Sequence, residues 1–164
     1  MGAMKPTVAA PPEVDLTFLL SWASHALQTE MTAGLSDLGI TPRAHCILHK
    51  AVSGDLTQTQ IADSLGLDKT TMVVLTDKLE KDGLAERVPS STDRRARIIQ
   101  ATPAGLELLA RSNEIVSGIQ NDVLGTLPEE LRGPFVEALS RLVEGRLSSF
   151  AECEQPPRRR SSRI

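Results

Sequence analysis

The chain has 164 residues, of which 40% are hydrophobic and only 2% aromatic, and its formal net charge is -3. This length suits one ordinary domain or one subunit of an intertwined dimer. The sequence shows no apolar run long enough for a membrane span and no signal peptide, and its two cysteines, Cys46 and Cys153, make no disulfide framework. These features predict a cytoplasmic protein with reduced thiols.

The first part of the chain predicts a disordered leader over residues 1–12 and then a long helix from Glu13 to about Leu38. Apolar side chains occupy nearly every face of this helix, and such a helix requires burial on all sides. In a small chain, that indicates a partner subunit. A second helix follows Thr41-Pro42, and its apolar residues are spaced for one buried face: Ala44, Ile47, Leu48 and Ala51.

The next segment has the pattern of a helix-turn-helix motif. Thr57 and Gln60 form a capping-box signature, Gly66 suits a tight turn, and Asp68 is placed to cap the second helix. In such a motif the second helix enters the DNA major groove by its N-terminal residues. The spacing turns Met72, Leu75 and Leu79 inward, and it leaves the following residues outside: Lys69, Thr70, Thr71, Val73, Val74, Asp77 and Lys78.

The strings LAERVP and RIIQA flank a polar tip and predict a β-hairpin. Arginines outnumber acidic residues in this hairpin, which is compatible with a nucleic-acid face on an acidic chain. Its arginines are Arg87, Arg94, Arg95 and Arg97. Two helices are predicted beyond it, over residues 103–125 and 128–150, and then a Pro-rich, basic and disordered tail over residues 151–164.

This order of elements over residues 13–150 resembles the MarR family of bacterial transcription regulators. The strings that carry the resemblance are Asp77-Lys78-Leu79-Glu80-Lys81-Asp82-Gly83-Leu84, Asp93-Arg94-Arg95 and Ala101-Thr102-Pro103-Ala104-Gly105. The resemblance implies a mainly α fold with a small β-hairpin: a winged helix-turn-helix lobe over residues 41–102 and a helical dimerisation region over residues 13–40 and 103–150. It also implies an obligate homodimer that reads a near-palindromic double-stranded DNA operator.

The resemblance places the hairpin, or wing, in the DNA minor groove. Arg95 matches the wing arginine of the family, and a planar cation suits a narrow minor groove. Asp93 matches the residue that would orient the Arg95 guanidinium. Two valines stand where the family often has Ser or Thr and then Arg; they either touch thymine methyls or pack inside the lobe. The predicted DNA-binding residues are Thr57, Lys69, Thr70, Thr71, Val74, Lys78, Asp93, Arg94, Arg95 and Arg97.

In similar proteins, small effectors bind where the dimer helices meet the DNA-binding lobe. An aromatic ring beside cationic groups suits an aromatic or anionic ligand. The candidates are Trp22, His25, Arg43, His45 and His49. The alternative for Trp22 is core packing, and the alternative for the histidines is a surface pair. A metal site at the His45 and His49 pair needs a further ligand, and a redox role for Cys46 needs exposure and a lowered pKa.

The sequence contains no Gly-rich phosphate loop, nucleophile elbow or complete metal motif. We therefore predict no enzymatic activity, no metal and no cofactor. The predicted function is a homodimeric repressor released by a small-molecule effector. One alternative is a redox- or metal-responsive regulator of the same fold, and the other is a winged-helix interaction module that does not bind DNA.

Overall fold

The computed structural model describes residues 15–149. The leader and the basic tail predicted from the sequence lie outside the described residues. The elements are α1 (Leu16–Leu35), a 3-10 helix (Ser36–Leu38), α2 (Pro42–Ala51), α3 (Gln58–Leu65), α4 (Lys69–Lys81), β1 (Ala85–Pro89), β2 (Arg97–Ala101), α5 (Pro103–Gly125) and α6 (Glu129–Glu144). The predicted fold class, mainly α with one hairpin, is confirmed.

Two predicted helix boundaries are wrong. The first helix ends at Leu35, and its continuation tightens into a 3-10 turn that stops at Gly39, whose φ is 67°. The last helix ends at Glu144 because Gly145 leaves the helical region, with φ -104° and ψ -109°. At the start of α1, the Asp15 carboxylate accepts a hydrogen bond from the Phe18 N–H at 2.9 Å.

The predicted caps of the helix-turn-helix motif are confirmed. Thr57 and Gln60 form a reciprocal capping box, in which each side chain accepts from the other residue's N–H, at 3.2 and 2.8 Å. Gly66 ends α3 with a φ of 62°, in the left-handed region that only glycine adopts readily. Asp68 then caps α4. The turn between the two helices is therefore determined by residues close together in sequence.

One apolar core holds α1, α2, α3, α4 and the hairpin together. The side chains of this core are almost fully buried, and α1 to α4, both strands and the first half of α5 each contribute at least one. They are Leu35, Ile40, Ala44, Ile47, Leu48, Ala51, Ile61, Ala62, Met72, Leu79, Ala85, Ile99 and Leu109. The hairpin is antiparallel and pairs Ala85 with Ala101. The Ile99 N–H donates to the Leu56 carbonyl at 3.2 Å, which ties β2 to the start of α3.

The junction between the hairpin and α5 is unusually close. Thr102 donates through its hydroxyl to the Gly83 carbonyl at 2.7 Å and through its N–H to the Leu84 carbonyl at 3.1 Å. A Cβ at Gly105 would lie 1.9 Å from that same Leu84 carbonyl oxygen. Only a residue without a side chain fits there. The glycine in the Ala101–Gly105 string is therefore required by packing between the hairpin and the helix.

The chain divides into two compact units between Gln120 and Asn121, inside α5. In the second unit, the Arg132 guanidinium donates to the carbonyls of Leu127 and Gly125, at 3.0 and 3.1 Å, and so stabilises the turn after α5. No helix within residues 15–149 has the length and apolar content that crossing a membrane requires.

Candidate nucleic-acid interface

The N-terminus of α4 presents polar side chains around its cap. The Asp68 carboxylate accepts from the Thr71 N–H at 2.9 Å and from the Thr71 hydroxyl at 2.5 Å. These bonds, the hydroxyl bond first, lower the pKa of Asp68. The Thr71 hydroxyl proton is therefore engaged by the cap, and Thr71 can offer only its oxygen as an acceptor. Lys69 and Thr70 beside it are exposed.

The two valines of α4 lie in different environments. Val74 is 60% exposed, which rules out its packing inside the lobe, whereas Val73 is half-buried. Val74 thus presents a branched apolar side chain on the outer surface of the helix, as contact with a thymine methyl requires. Lys78 is also exposed, and its Nζ pairs with the Asp82 carboxylate at 2.6 Å.

The wing tip, residues 90–96, has an ordered turn. The buried Ser90 hydroxyl accepts from the N–H groups of Thr92 and Asp93, both at 3.2 Å. The Asp93 carboxylate accepts from the backbone N–H of Arg95 at 2.9 Å. A carboxylate two residues upstream is well placed to reach a backbone N–H in this way. No ion pair among residues 15–149 joins Asp93 to the Arg95 guanidinium, so the orienting role stays a prediction. Asp93 shapes the turn, and the Arg95 side chain remains exposed.

Three arginines of the tip remain at the surface. Arg94, Arg95 and Arg97 are all exposed, and Arg97 Nη1 donates to the Arg94 carbonyl at 3.1 Å. None of the ion pairs among residues 15–149 involves any of them. The tip therefore concentrates positive charge on a well-formed hairpin turn. Such a tip suits a groove or a phosphate backbone of high negative potential.

Arg87 is one of the basic residues of the hairpin, but the structure assigns it a different environment from the tip. Its guanidinium bonds Asp77 and Glu80 on α4 and Gln58 on α3. The Arg87 charge is consequently offset by carboxylates of its own lobe. The sequence holds a weak signal for this arrangement, since Asp77 and Glu80 stand three residues apart on the helix that directly precedes β1.

The predicted effector residue His45 is buried and joins α2 to α5. Its Nδ1 lies 2.9 Å from the Ser112 hydroxyl, which donates its only proton to the Leu109 carbonyl at 3.0 Å. With the Ser112 proton on the Leu109 carbonyl, His45 Nδ1–H donates to the Ser112 oxygen, and Nε2 of the neutral ring is then an acceptor. Burial, and to a lesser extent His49, lowers the pKa of His45. The interpretation of a surface pair is wrong, since only His49 of the two is exposed.

The other effector candidates lie at the surface of the described chain. Trp22 is 67% exposed and lies against Phe18, with 5.8 Å between ring centroids, so it is not a core residue of the described chain. His25 and Arg43 are exposed as well. A common ligand pocket for these residues stays a prediction.

Neither the metal alternative nor the redox alternative finds support here. Within residues 15–149, no group of three or more His, Cys, Asp or Glu side chains is arranged to hold a metal ion. The Cys46 residue is exposed, but its thiol is partly shielded from water by the surrounding atoms. This partial burial raises the pKa of the thiol more than the nearby Lys50 lowers it. A redox-sensing thiol requires a lowered pKa, which is the opposite of the shift at Cys46.

Residues 38–96 match a family model described as MarR family. Over 105 residues, the chain is 31% identical to a protein of Thauera aromatica assigned as a transcriptional regulatory protein for the hcr operon. That alignment covers 63% of this chain, and the chain spans only 63% of the relative's own length.

Two solved structures have a similar fold. CouR from Rhodococcus jostii RHA1 bound to p-coumaroyl-CoA has a TM-score of 0.72 at 26% identity, over 84% of this chain and 96% of that chain. The transcriptional repressor CouR bound to a 23-mer DNA duplex also has a TM-score of 0.72, at 27% identity, over 79% of this chain and 92% of that chain.

Proposed function

Because the chain belongs to the MarR family of winged helix-turn-helix proteins, we propose that it is a sequence-specific regulator of transcription that binds double-stranded DNA. The observation that carries this proposal is the ordered wing tip, which presents Arg94, Arg95 and Arg97 on a hairpin fastened to α4. The solved complex of CouR with a DNA duplex supports it. A regulator of this kind would act in the cytoplasm of a bacterium, where the chromosome lies.

The proposed binding mode uses two grooves. The exposed N-terminal part of α4 enters the major groove, where Lys69 and Thr70 contact phosphates or base edges and Val74 contacts a thymine methyl. The wing reaches the neighbouring minor groove, where the Arg95 guanidinium fits a narrow A·T stretch. With only one exposed hydroxyl and valines on this helix, much of the sequence preference comes from the wing and the shape of the DNA.

We propose a homodimer because large apolar side chains are exposed on the first and last helices. A helix with several such side chains in water is stabilised when a partner covers them, at about 25 cal/mol for each Å² of apolar surface removed from water. The exposed residues are Leu16, Phe18, Leu19 and Trp22 on α1, and Leu131, Phe135, Val136, Leu142 and Val143 on α6. A twofold dimer with two wings would read a near-palindromic operator, with half-sites about one helical turn apart.

The proposed regulation is repression that a small effector relieves. Trp22, His25, Arg43 and His49 offer an exposed aromatic ring, one cation and two imidazoles on α1 and α2, and the buried His45 lies on α2, with 6.5 Å between its ring centroid and that of His49. The structure of CouR with p-coumaroyl-CoA supports an aromatic, anionic effector. The ligand would shift DNA binding only through its preference for one of two states of the dimer.

Fluorescence anisotropy tests DNA binding directly. DNA selected from a random pool is titrated with the protein at several salt concentrations, and unrelated DNA of equal length is the reference. We expect tight binding to the selected DNA and a steep loss of affinity with salt. Arg141→Ala removes one exposed cation of α6 that pairs with Glu137, and it is the control for Arg→Ala variants of the wing. Sedimentation must show that it keeps the oligomeric state of the wild type, because α6 belongs to the proposed dimer surface. Equal affinity for selected and unrelated DNA would favour the interaction-module alternative.

A further inference from the structure

Arg87 differs from the other hairpin arginines in how many partners it holds. Its Nε donates to Gln58 at 2.9 Å, its Nη2 to Asp77 at 2.7 Å, and its Nη1 to Glu80. The Arg87 backbone N–H also donates to Glu80, at 2.9 Å. One residue of β1 is thereby bonded to both helices of the helix-turn-helix motif.

The geometry of these bonds requires a guanidinium. Three different nitrogens of one planar group reach three side chains, an arrangement that matches the fixed fork of arginine. A lysine ammonium at the same place keeps the charge but is a single point, and it would not span both carboxylates and the Gln58 amide. The Arg87 side chain is 21% exposed, so these bonds are partly shielded from water.

The Arg87 guanidinium also changes the charge of the surface that is proposed to face DNA. Asp77 is 60% exposed and Glu80 33% exposed, and both lie on the recognition helix α4. Two free carboxylates there would repel the phosphate backbone. Arg87 offsets part of this charge, because its guanidinium lies against both carboxylates.

We propose that Arg87 is a positioning residue of the DNA-binding lobe. It sets the angle between the wing and the recognition helix and screens Asp77 and Glu80, while its own guanidinium makes no contact with DNA. This inference rests on the proposed function, and it adds to the wing tip a residue at the base of the wing that determines where Arg95 is presented.

The test uses Arg87→Lys, which leaves the net charge unchanged, with Arg141→Lys as the matched control in an exposed ion pair. DNA affinity is measured by anisotropy against salt concentration, on selected and on unrelated DNA. We expect Arg87→Lys to weaken binding to selected DNA about tenfold or more, because several charge-assisted hydrogen bonds are lost. Binding to unrelated DNA and the slope of log affinity against log salt should match those of the wild type.

Two results would overturn the proposal. In Arg87→Gln, which removes the positive charge, a fall in the salt slope of about one would mean that Arg87 itself contacts a phosphate. Unchanged binding to selected DNA would mean that the wing angle does not depend on Arg87.

A second measurement needs no DNA and separates this proposal from the proposed function. Hydrogen exchange of the wing, residues 85–101, should become faster in Arg87→Lys and stay unchanged in Arg141→Lys. If the wild type bound no DNA while this difference appeared, the proposed function would fail and the wing-fastening role would stand. If the wild type bound DNA and wing exchange did not change, the role of Arg87 would fail alone.

Discussion

Replacing Gly105 by alanine is expected to destabilise the fold, although alanine is the better helix former. The added Cβ would lie 1.9 Å from the Leu84 carbonyl oxygen and 2.9 Å from its carbon. Since real Cβ contacts stay above 3.0 Å, the start of α5 and the end of the α4–β1 turn must separate by about 1 Å. Both contact atoms belong to the backbone, so no side-chain rotation relieves the overlap.

The expected loss of stability follows from the hydrogen bonds that this separation would break. Thr102 donates to the Leu84 and Gly83 carbonyls at 3.1 and 2.7 Å, and each such bond contributes about 1 kcal/mol. The overlap itself costs about 1–3 kcal/mol. The higher helix propensity of alanine returns about 1 kcal/mol. We therefore expect Gly105→Ala to lower the free energy of unfolding by about 3 kcal/mol.

Gly118→Ala provides the matched control in the same helix. Among residues 15–149, apart from the neighbouring residues and the backbone of its own helix, no atom lies within 4 Å of a Cβ built at Gly118, so only the gain in helix propensity, about 1 kcal/mol, is expected. Urea unfolding at one fixed protein concentration measures both variants, and sedimentation reports whether either changes the oligomeric state. If Gly105→Ala were as stable as Gly118→Ala, the argument from the close hairpin–helix junction would be refuted.

Three further predictions concern the wing, the assembly and the buried histidine. Arg95→Ala should weaken binding to selected DNA by about 1–3 kcal/mol per half-site and reduce the slope of log affinity against log salt. Asp93→Ala should weaken binding in the same way but less. Equal binding by Arg95→Ala and the wild type would contradict the assignment of the hairpin as a DNA-binding wing. Sedimentation at low micromolar concentration should show a dimer, and a folded monomer would exclude the proposed assembly. The pKa of His45 is lowered in the folded state, so the unfolded chain binds this proton first. Stability should therefore be complete above pH 6.5, the ordinary value, and fall below it by at most about 1.4 kcal/mol per pH unit, until the folded-state pKa is reached. Urea unfolding at pH 7.5 and at pH 5.5 measures this loss of stability. The loss between the two pH values should be smaller for His45→Gln than for the wild type, and identical losses would contradict the burial argument.

Much of the architecture is determined by interactions that are local in sequence. The capping box of Thr57 and Gln60, the cap at Asp68 and the turn at Gly66 join residues a few positions apart, so the sequence alone predicts the helix-turn-helix motif. The alternating strands and polar tip likewise indicate the hairpin. The predicted end of α6 is wrong because the apolar spacing continues past Gly145, although that glycine is itself a stop signal.

The roles of Arg87, His45 and Gly105 depended on the tertiary structure. Arg87 meets Gln58, which is 29 residues away, and His45 meets Ser112 at a separation of 67. The spacing of apolar residues predicts which face of a helix is buried, but it does not predict which distant side chain packs against that face. The same limit explains Gly105, whose need for a bare Cα arises only when the Leu84 carbonyl is packed against it. Sequence thus determined the elements and the exposed charge of the wing tip, whereas packing between distant segments decided which charges are offset by a partner and which remain on the surface that is proposed to bind DNA.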